Sequence, residues 1–479
     1  MTAYDASDAG RLGPAGISRR GMLGAAAGAA ALLAGPAFAA RKLAPSDKVN
    51  IAVIGAGGQG ASNMLKLTGQ NIVATADVDY DHVLRALLDK TGWISPLRQP
   101  LKEAYDKAHR YTDYRAMFDT QKDIDAVLIA TPDHHHAVAA RMAMERGLHV
   151  YVQKPLTYTI EESRRLAELA RANPSLITQM GNQGHSGDDG RRVVELIRGG
   201  VIGKVSEVHV WTNRPVWPQG IAKPAAVATP GSLDWQTWLG PADVNWGYHP
   251  DYAHFNWRGW VPFGSGALGD MGAHLIDFPI WALEPGLPTK VETRHSRWAG
   301  NASLWDTKRP PELTSFPLAS IAHYEFGKAK GGPLSLIWYD GGLLPPTPHG
   351  FPANMSMSGD GGVLFVGAHG MLMHETYGEK PVLIGEGLEE KARKIPRSLP
   401  RIQGGMAGHE MNWIRAIRGE EAISCPFEYA TRLNETMNLG VVALRADQAI
   451  EYDAVAGRVT NVAAANQYLS RQYRKGWEL

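Results

Sequence analysis

Residues 49–60, VNIAVIGAGGQG, constrain the fold of this chain more than any other stretch. Residues 50–54 are rich in β-branched side chains and predict a short strand, and the residues after the turn predict a helix. Between them lies a G-x-G-x-x-G turn formed by Gly55, Gly57 and Gly60. The three glycines allow the tight turn, the approach of the backbone to a pyrophosphate and the close packing of helix on strand. The stretch therefore predicts a dinucleotide site at a helix N-terminus, with Gly58 and Gln59 also touching the cofactor.

An acidic residue supports this interpretation. A second apolar strand, residues 72–76, ends in Asp77, 22 residues after Gly55. A carboxylate at that place binds the ribose hydroxyls of NAD and repels the 2′-phosphate of NADP, so we expect NAD. The alternative is a purely structural glycine turn with an unrelated acid, because 53 of the 479 residues are glycine.

The first 39 residues are typical of an export signal. Arg19 and Arg20 form a twin-arginine pair, residues 21–34 are weakly apolar, and residues 37–39, AFA, fit a cleavage site. We expect export through the Tat pathway to the periplasm. The alternative is an uncleaved anchor, although the apolar run is short for a membrane span.

The charge and composition of the chain exclude several classes of binding partner. The net charge is +1, and no basic block or acidic tail indicates a nucleic acid or a charged protein partner. No later apolar run reaches 18 residues, so we expect no membrane contact beyond export. The single cysteine, Cys425, excludes an intramolecular disulfide, which suits a protein that folds in the cytoplasm before Tat transport.

The length predicts at least two domains. Strands and helices alternate over residues 48–181 and predict a doubly wound parallel sheet. Residues 182–424 predict a second, substrate-binding domain, and residues 425–479 predict helices and a tail that pack back on the core.

A buried strand at residues 124–130 leads into TPDHHH, residues 131–136, and a helix is expected from residue 137. Because the carboxyl ends of parallel strands face the ligand crevice, Thr131, Pro132 and His136 are candidates to line the nicotinamide side. Adjacent residues at a strand end point in different directions, so we expect no metal at the three histidines. The alternative is that they are solvated loop residues.

Further candidates lie around the same crevice. A strand at residues 149–152 runs directly into Gln153-Lys154-Pro155, which places Lys154 at a strand end. The substrate candidates share a position after the last parallel strand or in an aromatic stretch suited to sugar contact; they are Asn182, His185, Tyr252, Trp257 and Arg258.

A second motif is GSGALGDMGAHLID, residues 264–277. If a helix begins at Met271, then Asp270, His274 and Asp277 lie along one face near its N-terminus. Such a helix can present a proton shuttle to a cleft. The alternative is a capping Asp270 with a buried structural His274.

The glycine turn, ATPDHHH, the QKP tripeptide and GDMGAHLID together resemble the Gfo/Idh/MocA oxidoreductase family, which includes glucose–fructose oxidoreductase and inositol dehydrogenase. The resemblance runs from about Lys48 to the C-terminus. It implies a Rossmann domain followed by an α/β domain with an open, mostly antiparallel sheet. It also implies a homo-dimer or homo-tetramer.

The resemblance implies roles for three residues. Lys154 would lie near the nicotinamide and the reacting hydroxyl, and Asp270 and His274 would belong to the catalytic site, with His274 as the main acid/base. The family usually has Glu-Lys before the proline, whereas this chain has Gln153. Gln153 keeps a hydrogen-bonding group but loses the charge that would hold Lys154 in place.

These features predict an exported, NAD-dependent oxidoreductase acting on a sugar or polyol hydroxyl. No soluble NAD pool is expected outside the inner membrane, so the cofactor should stay bound and be restored in each turnover. One alternative is an NAD-dependent glycosidase that works through a transient 3-keto sugar. Another is a sugar-binding protein without catalysis, which only Gln153 favours.

Overall fold

The computed structural model describes residues 44, 47–88, 92, 94–296, 313–327, 332–357 and 359–479. The predicted export signal, residues 1–39, lies outside the described residues. In the part that is described, no helix is both long enough and apolar enough to cross a membrane.

The strand before the glycine turn belongs to a six-stranded parallel sheet with the strand order β3-β2-β1-β4-β5-β6. Its strands are β1 (Asn50–Ile54), β2 (Asn71–Ala76), β3 (His109–Tyr111), β4 (Ala126–Ile129), β5 (His149–Val152) and β6 (Thr178–Met180). The order reverses between β1 and β4, which is where open α/β sheets bind ligands. The predicted doubly wound sheet is confirmed.

Six helices connect these strands. They are α1 (Gly58–Lys66), α2 (Tyr80–Arg85), α3 (Gln99–Lys107), α4 (Tyr114–Thr120), α5 (Asp133–Met144) and α6 (Ile160–Ala172). Helix α5 begins four residues earlier than the sequence predicts. The three consecutive histidines therefore lie in the first turns of a helix and not in a loop after β4.

A nine-stranded sheet occupies the second part of the chain, in the order β13-β12-β11-β7-β10-β9-β8-β14-β15. Its strands are β7 (Val205–Thr212), β8 (Lys290–His295), β9 (Ser320–Phe326), β10 (Leu334–Tyr339), β11 (Gly361–Gly367), β12 (Gly370–Glu375), β13 (Val382–Ile384), β14 (Ile450–Asp453) and β15 (Arg458–Val459). Neighbouring strands are antiparallel except β7 and β10. The predicted mostly antiparallel sheet is confirmed.

Seven further helices lie in the described part of the chain after β6, and some of them pack on the second sheet while the helix His409–Ile417 packs on the first domain. They are α7 (Asp188–Arg198), α8 (Trp235–Leu239), α9 (Gly266–Leu275), α10 (Asp277–Leu283), α11 (Leu388–Lys394), α12 (His409–Ile417) and α13 (Phe427–Ala446). Single 3-10 turns lie at Pro96–Arg98, Gln183–Ser186, Asn256–Gly259, Gly405–Gly408 and Ala463–Tyr468. Helix α9 begins at Gly266 and not at Met271, and Asp277 starts a separate helix.

Two C-terminal segments pack on the parallel sheet. Trp413 of α12 is fully buried in the same apolar cluster as Ile51 and Val53 of β1. Near the chain end, the guanidinium of Arg115 lies 3.6 Å from the ring of Trp477. Residues more than 300 positions apart in sequence therefore form part of the support beneath the cofactor domain.

Gly60 joins α1 to β1 by close backbone packing. A Cβ atom at this position would lie 1.8 Å from the carbonyl oxygen of Gly55, which is backbone and cannot move aside. We expect Gly60→Ala to lower stability by about 2 kcal/mol and to weaken NAD binding at least about tenfold, because α1 must shift away from the turn. Thermal unfolding and NAD titration measure both effects. Gly69→Ala, where a Cβ meets nothing within 4 Å, is the control; a Gly60→Ala protein that matches it would contradict this role of the turn.

Candidate active site

A cavity of about 470 Å³ opens at the carboxyl ends of the parallel strands. Its lining includes the glycine turn, four residues of the stretch 254–258 and two residues of α8. The structure brings ten of the predicted site residues to this cavity: Gly55, Gly57, Gly58, Gln59, Asp77, Thr131, Pro132, Lys154, Trp257 and Arg258.

The glycine turn fits a pyrophosphate. Gly55 has a positive φ of 79°, and a Cβ there would lie 2.7 Å from the carbonyl oxygen of Ala130. No side chain of the described residues caps the N-terminus of α1 at Gly57, so its first backbone N–H groups are available to an anion.

Asp77 fixes this turn and also faces the cavity. Its Oδ2 accepts hydrogen bonds from the backbone N–H groups of Ala56 (2.8 Å) and Gly57 (3.2 Å), and its Oδ1 accepts one from Asp79 (3.1 Å). Burial raises the pKa of the carboxyl to about 6, although these N–H groups oppose the shift. The ionised carboxylate has further lone pairs with which it can accept hydrogen bonds from ribose hydroxyls.

The three histidines after β4 all lie against backbone carbonyl oxygens, and one of them also lines the cavity. His136 does not line the cavity, because its Nδ1 and Nε2 lie 2.8 and 2.9 Å from the carbonyl oxygens of Pro155 and Thr131. The prediction that His136 lines the nicotinamide side is corrected in favour of His135, which does line the cavity. Among the described residues, no group of three or more His, Cys, Asp or Glu side chains could hold a metal ion.

Lys154 forms an ion pair across the two parts of the chain. Its Nζ donates to Oδ1 of Asp270 (2.7 Å) and to the backbone carbonyl of Asp270 (3.1 Å). The Nε of Arg258 donates to the same Oδ1 at 2.9 Å. Burial alone would raise the pKa of the Asp270 carboxyl, but Lys154 and Arg258 outweigh it and hold this pKa well below its usual range. Asp270 is therefore a fixed anion that positions Lys154, and it does not share a proton near neutral pH.

His274 lies one helical turn after Asp270. Its Nδ1 lies 3.2 Å from the side-chain amide of Asn182, a contact that orients the imidazole ring. Burial, together with the charge of Lys154, holds the pKa of His274 well below its usual value. The side chain is thus a neutral base. Neither His274, which is 3% exposed, nor the fully buried Asn182 lines the cavity, and Asp270 does not line it either.

Two predicted substrate contacts are corrected. His185 is buried, its ring stacks on Trp281 at 3.6 Å, and its Nδ1 lies 3.0 Å from Oδ2 of Asp277. Asp277 therefore pairs with His185. Tyr252 is 1% exposed and packs edge-on against Trp260, which makes it part of an aromatic core. Neither His185 nor Tyr252 reaches the cavity.

Sequence reasoning missed several cavity residues. Phe255, which is 54% exposed, and Trp257 flank Arg258, whose guanidinium lies 4.9 and 4.1 Å from their rings. The aromatic-rich stretch 252–261 indicated a site, but the sequence did not show which of its rings lie in the core and which line the cavity. His82 and His254 also line the cavity and stack on each other at 3.8 Å. No local pattern indicated that pair, because its members are distant in sequence.

The fold and this cavity define the class of protein, a dinucleotide-binding oxidoreductase with a separate substrate-side sheet. Sequence models of one family agree: the oxidoreductase-family NAD-binding Rossmann fold matches residues 49–180, and the C-terminal alpha/beta domain of the same family matches residues 191–302. Together they match about half of the chain. The chain belongs to the Gfo/Idh/MocA oxidoreductase family, and the predicted NAD cofactor is confirmed.

Curated relatives are similar over a limited region. A glycosyl hydrolase family 109 protein from Solibacter usitatus is 31% identical over 167 residues, which are 34% of this chain and 36% of that protein. The chain thus matches only about a third of the length of this relative.

Solved structures are similar over most of the chain. The WlbA dehydrogenase from Bordetella pertussis, in complex with NADH and UDP-GlcNAcA, has a TM-score of 0.55 at 15% identity, covering 85% of this chain and 99% of its own. The myo-inositol 2-dehydrogenase from Lactobacillus plantarum has a TM-score of 0.51 at 15% identity, covering 85% and 100%. At this identity the likeness shows the fold.

Asp77 should make cofactor affinity depend on pH. With a pKa of about 6, the free carboxyl is ionised at pH 8 and mostly protonated at pH 5, where it can accept fewer hydrogen bonds from ribose. We expect NAD to bind about tenfold more weakly at pH 5 than at pH 8, as linkage requires for a ligand that prefers the ionised form. Titration of the cofactor-stripped protein measures this. Asp77→Asn should bind weakly with a flat profile; an unchanged slope in that variant would assign the titration to another group.

Proposed function

We propose that this protein oxidises a hydroxyl group of a sugar or polyol with bound NAD. The observation that carries the proposal is the cluster at the carboxyl end of β5. There Lys154 is paired to the fixed anion Asp270, and the neutral base His274 follows one helical turn later. Bound NAD supplies the hydride acceptor, and the side chains supply the proton chemistry.

The residues divide the work as follows. Removal of a hydroxyl proton needs a base with a free lone pair, and the neutral imidazole of His274 has one on the ring nitrogen that carries no hydrogen. The carboxylate of Asp270 on the preceding turn attracts the resulting imidazolium and offsets part of the opposing effects of burial and of the charge of Lys154. Lys154, held by Asp270, donates a hydrogen bond to the reacting oxygen.

The substrate wall suits a carbohydrate. Phe255 and Trp257 present flat apolar rings beside the guanidinium of Arg258, and such a surface can cover a sugar face while donating hydrogen bonds to its hydroxyls. Of the two solved structures with this fold, one holds UDP-GlcNAcA and the other is a myo-inositol 2-dehydrogenase. Both names support a sugar or polyol as the substrate class.

The cellular setting belongs to the same proposal. The twin-arginine pair at Arg19 and Arg20 supports export of the folded protein to the periplasm. Without a soluble NAD pool there, the cofactor would remain bound and be restored by a second substrate. We also propose a homo-dimer or homo-tetramer, on the family resemblance.

A second candidate is an NAD-dependent glycosidase, which the similarity to a glycosyl hydrolase family 109 protein favours. In that reaction a transient 3-keto group acidifies the C2 hydrogen, the aglycone is eliminated, water adds and the hydride returns. A second base must remove the C2 proton. His185 is paired with Asp277 and Tyr252 belongs to an aromatic core, so neither is assigned to this step; because the oxidoreductase needs no second base, we place it first.

One experiment separates the candidates. Sugars, polyols and aryl glycosides are added to purified protein with its cofactor identified, and the near-ultraviolet absorbance of reduced nicotinamide is followed. An oxidoreductase shows reduction by one compound and reoxidation by a second carbonyl compound. A glycosidase releases the aglycone with no net change in the cofactor. Neither response from any compound would favour the non-catalytic sugar-binding alternative.

Two substitutions test the assigned roles. We expect Lys154→Ala and His274→Ala to slow reduction of the bound NAD by at least about 100-fold, the usual scale for loss of a positioned acid or base. NAD should still bind. Lys122→Ala and His349→Ala, which replace exposed residues, serve as matched controls. Full rates in either active-site variant would refute its role.

A further inference from the structure

A buried polar chain runs from α12 to the cavity. Oε1 of Glu410 accepts from Nδ2 of Asn63 at 2.6 Å, and Oδ1 of Asn63 accepts from Nε2 of Gln153 at 2.9 Å. Oε1 of Gln153 then accepts from the backbone N–H of Lys154 at 3.3 Å. Glu410, Asn63 and Gln153 are 2%, 1% and 7% exposed, so water cannot replace a lost partner in this chain.

The carboxylate of Glu410 fixes the direction of every bond in the chain. An ionised carboxylate only accepts hydrogen bonds, so Asn63 must turn its NH₂ group towards Glu410. The oxygen of Asn63 then faces Gln153, which must donate its own NH₂ group. This leaves the oxygen of Gln153 for the backbone of Lys154.

Glu410 also clamps the helix that begins at the glycine turn. Nζ of Lys66 lies 2.9 and 3.0 Å from its two carboxylate oxygens. Lys66 and Asn63 are one turn apart on α1. One buried carboxylate therefore holds α1 and, through two amides, the residue before Lys154.

We propose that Glu410 is a positioning residue for the cofactor site, and that the carboxylate at position 410 and the amide at position 153 are a matched pair. A glutamate at 153 would place an acceptor against Oδ1 of Asn63, and Asn63 cannot turn while Glu410 needs its NH₂ group. Gly181 brings its backbone close to this side chain, since a Cβ there would lie 2.8 Å from the Cδ of Gln153. Moving away from Asn63 would therefore carry a glutamate at 153 into the cavity and out of the chain of hydrogen bonds. This chain of hydrogen bonds can therefore hold a carboxylate at position 410 or at position 153, but not at both.

The test is a double-mutant cycle on the full-length, cofactor-stripped protein, with NAD as the probe. Gln153→Glu should weaken NAD binding about tenfold, because two acceptors then face each other beside the cavity; Glu410→Gln should weaken it less, because its amide oxygen can still accept from Asn63 and only the charge pair with Lys66 is lost. In the double variant the amide at position 410 donates to Asn63 and Asn63 donates to the carboxylate at position 153, so these two bonds reverse, while the backbone N–H of Lys154 still donates to residue 153; only the charge pair with Lys66 is lost. The double variant should bind NAD within about twofold of the wild type. Glu420→Gln, an exposed change just after the same helix, is the control and should have no effect.

Recovery of NAD binding when Glu410→Gln is added to Gln153→Glu is the result that two unrelated packing defects cannot give. Independent packing defects would add, so a double variant weaker than either single variant overturns the proposal. If Gln153→Glu does not fold, recovery of a folded, NAD-binding double variant is the expected result, and its failure to fold overturns the proposal. NAD binding is the readout, so the outcome does not depend on the substrate proposed above.

Discussion

The ion pair between Lys154 and Asp270 is the interaction on which the site depends. Lys154 follows β5 of the parallel sheet, whereas Asp270 lies on α9, which packs against the second sheet. Both side chains are largely buried, and removing one partner from such a pair typically costs about 3–5 kcal/mol because the other charge is left uncompensated. The same contact therefore closes the two parts of the chain on each other and sets the protonation state of the carboxylate, which Arg258 reinforces.

Negative charge around Lys154 is distributed unlike the family pattern. Glutamate usually precedes the lysine, and this chain has the neutral Gln153. The structure supplies carboxylates from two other elements, with Asp270 on the ammonium itself and Glu410 behind Gln153. Lys154 is therefore held from the substrate side and from the backbone side. The neutral residue does not by itself indicate a site without catalysis, which was the only argument for a silent binding protein.

The sequence was informative where a local pattern determines the structure. The glycine turn, Asp77 and Lys154 each follow an apolar strand. The carboxyl ends of all strands in a parallel sheet lie at the same edge, where the ligand crevice is. Prediction from the sequence failed where the role of a side chain depends on whether it is buried. Tyr252 and His136 belong to patterns as suggestive as Trp257, but whether each ring faces a cavity or a core depends on α8, Trp260 and Pro155. Those contacts come from remote parts of the chain, and one sequence does not encode them locally.

The same reasoning explains the three histidines. Their spacing excluded a shared metal, yet their role as carbonyl partners depends on backbone that arrives from elsewhere. His134 and His135 both lie within 3.0 Å of the carbonyl oxygen of Trp238 at the end of α8, and His136 lies near Pro155. Buried carbonyl groups need donors, and imidazole N–H groups supply them without a permanent charge. The triplet thus fastens the cavity wall to β4 and α5, which makes it part of the support of the site and leaves the proton chemistry to His274.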